Sequence, residues 1–399
     1  MEKPTVGRLD SYDPASIECI MRCTRVNDTS RPWRPSPYCI QQKKDNHMQQ
    51  ILERMASIAP LDTGAMELAR TRQQQLTKPA GSLGRLEDIA VQIAGITGQP
   101  VPRIQRKAVI IMAGDHGVTS EGVSAYPAAV TPQMVHNFLQ GGAAINALAQ
   151  YVGAKVIVVD VGVAADIAHP DLLSRKVAFG TANMVLAPAM TRAQMLEAIH
   201  VGIDVCDALL EQGVDLVATG DMGIGNTTAS SAMTAALLQT PVALVTGRGT
   251  GINDEQLTHK IQVIEKALAR HAPNPQAPFD VLMKVGGLEI AGLVGVIVAA
   301  ASHRVPVVID GFISGAAALM AVEFNPLIRE YLLAGHASVE RGHRLILERL
   351  GLSPLLDLQL RLGEGTGAVL AMSIIEAALH AHSEMATFEE AGVSTREEK

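Results

Sequence analysis

Short apolar runs alternate with longer amphipathic stretches through most of the chain. The segments AVIIMAGDHG (108–117), KVIVVDVG (155–162), DLVATGDMG (215–223), PVALVTGRG (241–249) and VPVVIDGF (305–312) are rich in β-branched residues and run into Gly or Asp. Runs of this length and composition predict buried strands. Between them, apolar positions recur at helical spacing over 132–150, 191–211, 226–239, 254–271 and 287–303. Alternating strand and helix predicts right-handed crossovers and a mostly parallel sheet: a three-layer, doubly wound, Rossmann-like α/β fold. Ligands in that plan bind at the carboxyl ends of the strands, where the glycine-rich and acidic segments fall.

Residues 48–98 follow a different rhythm. MQQILERMASIA, AMELARTRQQQL and RLEDIAVQIAGIT each have helical spacing, and the break KPAGSLG (78–84) places Ser82 to open the helix after it. This predicts a smaller helical part over 48–100 beside an α/β domain over 105–382. Residues 1–45 mix Pro, Arg, Asp, Ser and Cys without periodicity and carry no apolar core of a signal peptide, so they are expected to be a flexible extension, with the folded protein beginning near Met48. Residues 383–399 are expected to be a flexible acidic tail. The most apolar run, LEIAGLVGVIVAAA (288–301), is short and contains Glu289, which predicts a buried helix and no membrane span.

Composition narrows the picture. Apolar residues make up 48% of the chain but aromatic residues only 3%, with 35 glycines, so the core is built from Ala, Val, Ile, Leu and Met. The net charge of −7 and the absence of a basic block argue against a nucleic-acid partner. Four cysteines are too few for a disulfide framework, which points to the cytoplasm. The Cys19/Cys23 spacing with a distant His47 matches no standard metal site, and no metal is expected.

The stretch TGDMGIGNTTASSA (219–232) raises the chemical question. It lacks the lysine of a nucleotide-hydrolysing phosphate loop, and Gly223-x-Gly225-x-x-Thr228 lacks the third glycine of a dinucleotide site. An NAD-dependent oxidoreductase is therefore disfavoured. Gly223, Gly225, Asn226, Thr227 and Thr228, with Asn226 or Thr227 as cap, place amides and hydroxyls at a helix start. Such a set holds a monophosphate without a metal, although a ligand-free glycine turn has the same composition. GRGTG (247–251) and GEGTG (363–367) echo each other, with Arg248 and Glu364 at the centre. Glu364 precedes an almost uncharged helix, so its carboxylate reads as a desolvated general base or as a helix cap. In AGDHGVTSEGVSAYP (113–127), Asp115 and His116 read as making local hydrogen bonds. Asp310 reads as a ribose-binding or turn-forming acid, Lys260 as a solvated helix residue, and His136 and His303 as core or boundary histidines.

Together KPAGSLG, AGDHGVTSEGVSAYP, GDMGIGNTT, GRGTG, VIDGFISGAAAL, GHASVE and RLGEGTGA resemble the nicotinate-nucleotide–dimethylbenzimidazole phosphoribosyltransferase family, from about residue 50 to about 382. The resemblance implies transfer of phosphoribose from nicotinate mononucleotide to 5,6-dimethylbenzimidazole, giving α-ribazole 5′-phosphate and nicotinate with inversion at C1′. It implies no cofactor, a homodimer, and Glu364 as general base. It places Lys260 and Ser338 near the phosphate, and Gly249, Asp310, Gly311 and Arg361 in the nucleotide site. Ser124, Tyr126 and Gln133 correspond to the benzimidazole pocket. Where the family commonly carries Glu, this chain has Asp221, whose carboxylate is drawn back by roughly 1.5 Å, one C–C bond. Asp221 is expected to be a secondary catalytic residue. A protein of this fold that binds nucleotide without turnover is the remaining alternative.

Overall fold

This computed structural model describes residues 37–394, with side chains from residue 47 onward. The chain divides into two compact units, 1–49 and 50–399, and the sheet belongs to the second. The reading made for Cys19 and Cys23, and most of the extension expected over 1–45, lie outside the described residues. A helix begins at Pro37, inside the stretch read as an extension without periodicity.

Six strands form one sheet: β1 (Lys107–Gly114), β2 (Ala154–Gly162), β3 (Leu172–Ser174), β4 (Leu216–Met222), β5 (Val307–Ile309) and β6 (Leu332–Ala334). Their order is β3-β2-β1-β4-β5-β6, and every pairing is parallel. This is the doubly wound plan expected, with the chain reversing its direction of travel between β1 and β4. In β1, alternate side chains serve opposite faces. Val109, Ile111 and Ala113 join a core with Ile89, Ile93, Ile145 and Ala149 from the helices Arg85–Thr97 and Ala144–Val152, and with Val369, Met372 and Ile375 from the helix Thr366–Glu384. On the other face, Met112 meets the helix Leu288–Ser302 at Gly292.

The apolar run 288–301 is the buried helix expected, and no helix among the described residues is long and apolar enough to cross a membrane. It crosses the helix Arg192–Glu211 with backbones almost touching: a Cβ on Gly202 would lie 1.9 Å from Gly292 O.

Four of the five predicted strands form. The fifth, PVALVTGRG, is a single helical turn, Val242–Val245. Pro241 fixes φ at −54° just before the turn, and Thr246 closes it by donating both its N–H and its hydroxyl to Val242 O. The predicted helix 132–150 is two helices, Val130–Leu139 and Ala144–Val152, broken at Gly141 with φ +77°. Ser82 does not open the next helix; it lies in a turn, and the helix starts at Arg85 after Gly84. His136 and His303 are exposed rather than core. His303 meets Asp207 Oδ1 at 3.0 Å. The segment read as a flexible tail is docked as far as it is described: Thr77 N–H donates to Ala386 O at 3.0 Å, and Thr387 bridges to Leu76.

Candidate active site

The carboxyl ends of β4, β5 and β6 and the loop after β1 surround a cavity of about 480 Å³ beside the β1/β4 switch point. Larger openings lie between the helices near Met66 and Val91 (about 530 Å³) and beside Arg344 and Leu347 (about 790 Å³). Neither gathers buried carboxylates at strand ends.

One wall grows out of β4. Asp221 and Met222 end the strand, Gly223 and Ile224 turn the chain, and the helix Asn226–Leu238 begins. The cap is Gly225, in the left-handed region at φ +95°, not Asn226 or Thr227. Asn226 is freed to turn its amide back, donating Nδ2–H to Asp221 Oδ2 at 2.9 Å. Gly223, Asn226 and Thr227 line the cavity, so the positive end of the helix dipole faces it. Gly225 and Thr228 do not line it. Gly225 packs on His116 and Thr119, and Thr228 is wholly buried.

Behind Thr227 lies Lys260, which is buried rather than solvated. Its Nζ donates to Thr227 Oγ1 at 2.8 Å. Burial lowers the ammonium pKa to about 8, against the opposing charge of Glu340. Glu340 also accepts the Gly249 N–H through Oε1 at 2.9 Å. Gly249 adopts φ +49°, and a Cβ there would come within 2.8 Å of Thr227 Oγ1, so only glycine fits the turn. Arg248, by contrast, points away and bonds Ile252 O and Asp254.

The opposite wall carries Glu364 between Gly363 and Gly365, all three at positive φ (84°, 64° and 94°). The left-handed conformation costs a non-glycine residue about 1–2 kcal/mol, and strain of this kind persists where the surroundings enforce it. Asp310 is the enforcing group: its two oxygens accept Gly365 N–H at 3.2 Å and Ala368 N–H at 2.9 Å. Glu364 accepts Ile145 N–H through Oε2 at 3.3 Å. Burial raises the Glu364 pKa above the usual glutamate value, the Ile145 amide opposing and Asp310 adding to the rise. Burial also holds Asp221 well above the usual aspartate value, with Asp310, Glu289 and Glu364 reinforcing it against the Asn226 amide. A buried carboxylate with a raised pKa beside an open cavity is equipped to take a proton near neutral pH.

The remaining expected residues divide. Ser338, Gly311, Arg361 and Tyr126 line the cavity. Asp310 lies beneath it, fully buried, with its oxygens occupied by the helix start. Ser124 meets Thr250 Oγ1 at 3.2 Å outside the lining, and Gln133 is exposed on the helix Val130–Leu139. Apolar side chains unremarked in the sequence complete the walls: Val130, Met134, Phe312, Ile313 and Leu362.

Sequence reasoning also passed over Glu340 and His336, both inside the motif GHASVE. It read His116 as making local bonds, but its Nε2 meets Glu289 Oε1 at 2.6 Å, 173 positions away and fully buried. Burial disfavours the charged His116 ring, yet the Glu289 charge and hydrogen bond, with Asp115, raise its pKa overall. No cluster among the described residues has the ligands to hold a metal.

The family model DBI_PRT, described as phosphoribosyltransferase, matches residues 58–393. A nicotinate-nucleotide–dimethylbenzimidazole phosphoribosyltransferase of Chloroflexus aggregans is 61% identical over 88% of this chain and 100% of its own length. One from Geobacter sulfurreducens is 56% identical over 86% of this chain and 98% of its own. The crystal structure of CobT from Thermus thermophilus superposes with a TM-score of 0.80 at 49% identity, covering 83% of this chain and 99% of the other. The motifs, the six-stranded sheet and these relatives agree: the chain belongs to the nicotinate-nucleotide–dimethylbenzimidazole phosphoribosyltransferase family.

Proposed function

We propose that this chain transfers the phosphoribosyl group of nicotinate mononucleotide to 5,6-dimethylbenzimidazole, with inversion at C1′ and with Glu364 as general base. The observation that carries the reading is the placement of Glu364: a buried carboxylate of raised pKa, held by Asp310 across a cavity from the amino end of the Asn226–Leu238 helix. In the reaction one benzimidazole nitrogen forms a bond to C1′ while the bond from C1′ to the pyridinium nitrogen breaks. The electron pair of that bond returns to the ring, which leaves uncharged at nitrogen and so needs no acid. The proton on the second benzimidazole nitrogen goes to Glu364. Attack from the face opposite the leaving group turns the β-nucleotide into the α-nucleotide.

Thr227, Gly223 and the helix amino end take the phosphate, with Lys260 behind them and Ser338 across from them. Gly249, Gly311 and Arg361 border the nucleotide, and Tyr126, with Met134 and Leu362 beside it, forms the side where the flat base stacks. Asp221 acts as the secondary carboxyl, holding Asn226 in place. Thr228, Gly225 and Asp310 shape the walls from behind. We extend the reading to a homodimer, as the resemblance implies, working in the cytoplasm, as the sparse cysteines point to.

The test is a metal-free assay of wild type and Glu364→Gln, with product resolved by chromatography. Turnover should fall by about 10²-fold or more in the variant. Equal rates would remove Glu364 as base and leave Asp221 as the candidate. No product from either protein, with nucleotide still bound, would favour a binding protein over an enzyme.

A further inference from the structure

The glutamate base depends on a left-handed turn, and the turn depends on Asp310. Behind Asp310 stands a residue with no role so far. His336 follows β6, borders the cavity and is 1% exposed, yet neither ring nitrogen has a hydrogen-bond partner among the described residues. A buried imidazole always carries at least one N–H, and leaving it unsatisfied costs about 1–3 kcal/mol, so this placement needs a reason.

The ring is seated with care. A Cβ on Gly367 would lie 2.0 Å from His336 Cδ2, and one on Gly311 would lie 3.3 Å from Nε2. Two glycines, one from VIDGF and one from GEGTG, thus clear a slot for the imidazole between the end of β5 and the catalytic turn. In the slot, Nε2 lies 3.6 Å from Asp310 Oδ1, the oxygen that also accepts the Ala368 N–H. That is too long for a hydrogen bond but close enough for strong charge coupling where water is excluded.

We propose that His336 is a positioning residue that keeps Asp310 ionised, and through Asp310 both holds the Gly363–Gly365 turn and keeps Glu364 basic. The proposal rests on the reading of Glu364 as general base. Ionised Asp310 accepts from both amides, whereas a protonated one must surrender part of that capacity to its own O–H. The other titratable groups around this pair are accounted for. Asp221 at the end of β4 and Glu364 itself are carboxyls that repel charge on Asp310, and Glu289 acts on Asp221 from the helix Leu288–Ser302. His343, on the helix Arg341–Leu350 with its ring 6.0 Å from that of His336, is held neutral by burial and by His336. Burial raises the Asp310 pKa above the usual aspartate value, and among these groups His336 is the one whose charge opposes that rise, with the Ala368, Gly365 and Gly367 amides beside it.

The experiment compares pH profiles of kcat for wild type, His336→Phe, His336→Gln, Asp310→Asn and the double variant His336→Phe/Asp310→Asn, with Glu364→Gln run beside them. Circular dichroism checks that each variant is folded. Loss of His336 should lower kcat by roughly 5–50-fold and move the acid limb to lower pH by about half a unit or more. KM for nicotinate mononucleotide should stay within about twofold, since uniform binding is unchanged. In the Asp310→Asn background, His336→Phe should add almost nothing. Should His336→Phe fail to fold, His336→Gln, which keeps a donor without the charge, should show the same shift of the limb. An unmoved acid limb in the folded His336 variants, an effect confined to KM, or full additivity with Asp310→Asn would overturn the proposal. An active Glu364→Gln would instead overturn the base assignment, so the two failures are separable.

Discussion

Lys260 Nζ donates to Thr227 Oγ1 at 2.8 Å, tying the Asp254–His271 helix to the first turn of the Asn226–Leu238 helix just behind the cavity wall. Burial brings the ammonium to about pH 8, where it loses its proton in the free protein. A bound phosphate favours the charged form. Binding above that pH must therefore take up a proton, and KM for nicotinate mononucleotide should rise by up to about tenfold per pH unit. Lys260→Met should raise KM at pH 7 by roughly 10–100-fold, the value of a hydrogen bond to a charged group, and should remove the alkaline slope. Initial-rate kinetics from pH 6 to pH 10 measure both. A slope that survives in Lys260→Met would assign the titration elsewhere.

Glu364 joins the proposed role of base to a strained backbone, so its variants should separate the two. Glu364→Gln and Glu364→Gly both remove the charge, but only glycine adopts φ +64° freely. After the extra chain entropy of glycine is deducted, Glu364→Gly should be more stable than Glu364→Gln by about 1 kcal/mol. Both should be inactive. Urea denaturation compares them, and a less stable glycine variant would mean the turn is not strained.

His343 predicts part of the acid sensitivity. Its Nδ1 accepts the Ser338 N–H at 3.1 Å, and burial with His336 lowers its pKa from 6.5 to about 3. Between those values the unfolded chain binds a proton that the folded one refuses. The neutral ring therefore contributes stability above pH 6.5 that is lost as pH falls toward 3. The slope is at most about 1.4 kcal/mol per pH unit. His343→Asn keeps an acceptor near Nδ1 without the titration, so its stability should fall less steeply over that range. Parallel melting curves at pH 7, 6, 5 and 4 decide this.

The crossing of the Arg192–Glu211 and Leu288–Ser302 helices gives a prediction whose sign is informative. On an exposed helix, Gly→Ala stabilises by about 1 kcal/mol. At Gly202 the added methyl would meet Gly292 O at 1.9 Å, and at Gly295 it would meet Ile199 O at 2.0 Å. Gly202→Ala and Gly295→Ala should each destabilise by about 1–3 kcal/mol or more, read as a lower urea midpoint. A rise in the midpoint would mean that the helices separate without cost.

Sequence pattern revealed the architecture where the physics was local. β1, β2 and β4 are long apolar runs ending in Gly or Asp, and all three formed close to their predicted bounds. β3 and β6 have three residues each, too few for any period to show, and exist because a neighbouring strand is there to pair with. Val242–Val245 has strand composition but follows a proline and closes on itself. At the site, GNTT and GEGTG stood out as glycine and hydroxyl residues at helix starts, but a ligand-free turn shares that composition, and only the resemblance to the family singled them out. The His116–Glu289 pair and the slot for His336 were not legible, since each joins segments far apart in the chain. Glu289 could be noted only as a charge in an apolar run, and Asp310 showed nothing of its two amide partners.

Gly220 sits in β4 one residue before Asp221, does not line the cavity, and carries no chemistry of its own. A Cβ there would lie 2.5 Å from the carbonyl oxygen of Glu364. Glu364, the proposed base, therefore stands where it does partly because a distant strand leaves an empty space behind it. Anyone recombining or diversifying this scaffold to accept other bases should hold position 220 fixed. A side chain there would displace Glu364 while every residue lining the cavity stayed unchanged, and the loss would look like altered specificity when its origin was a shove from the rear.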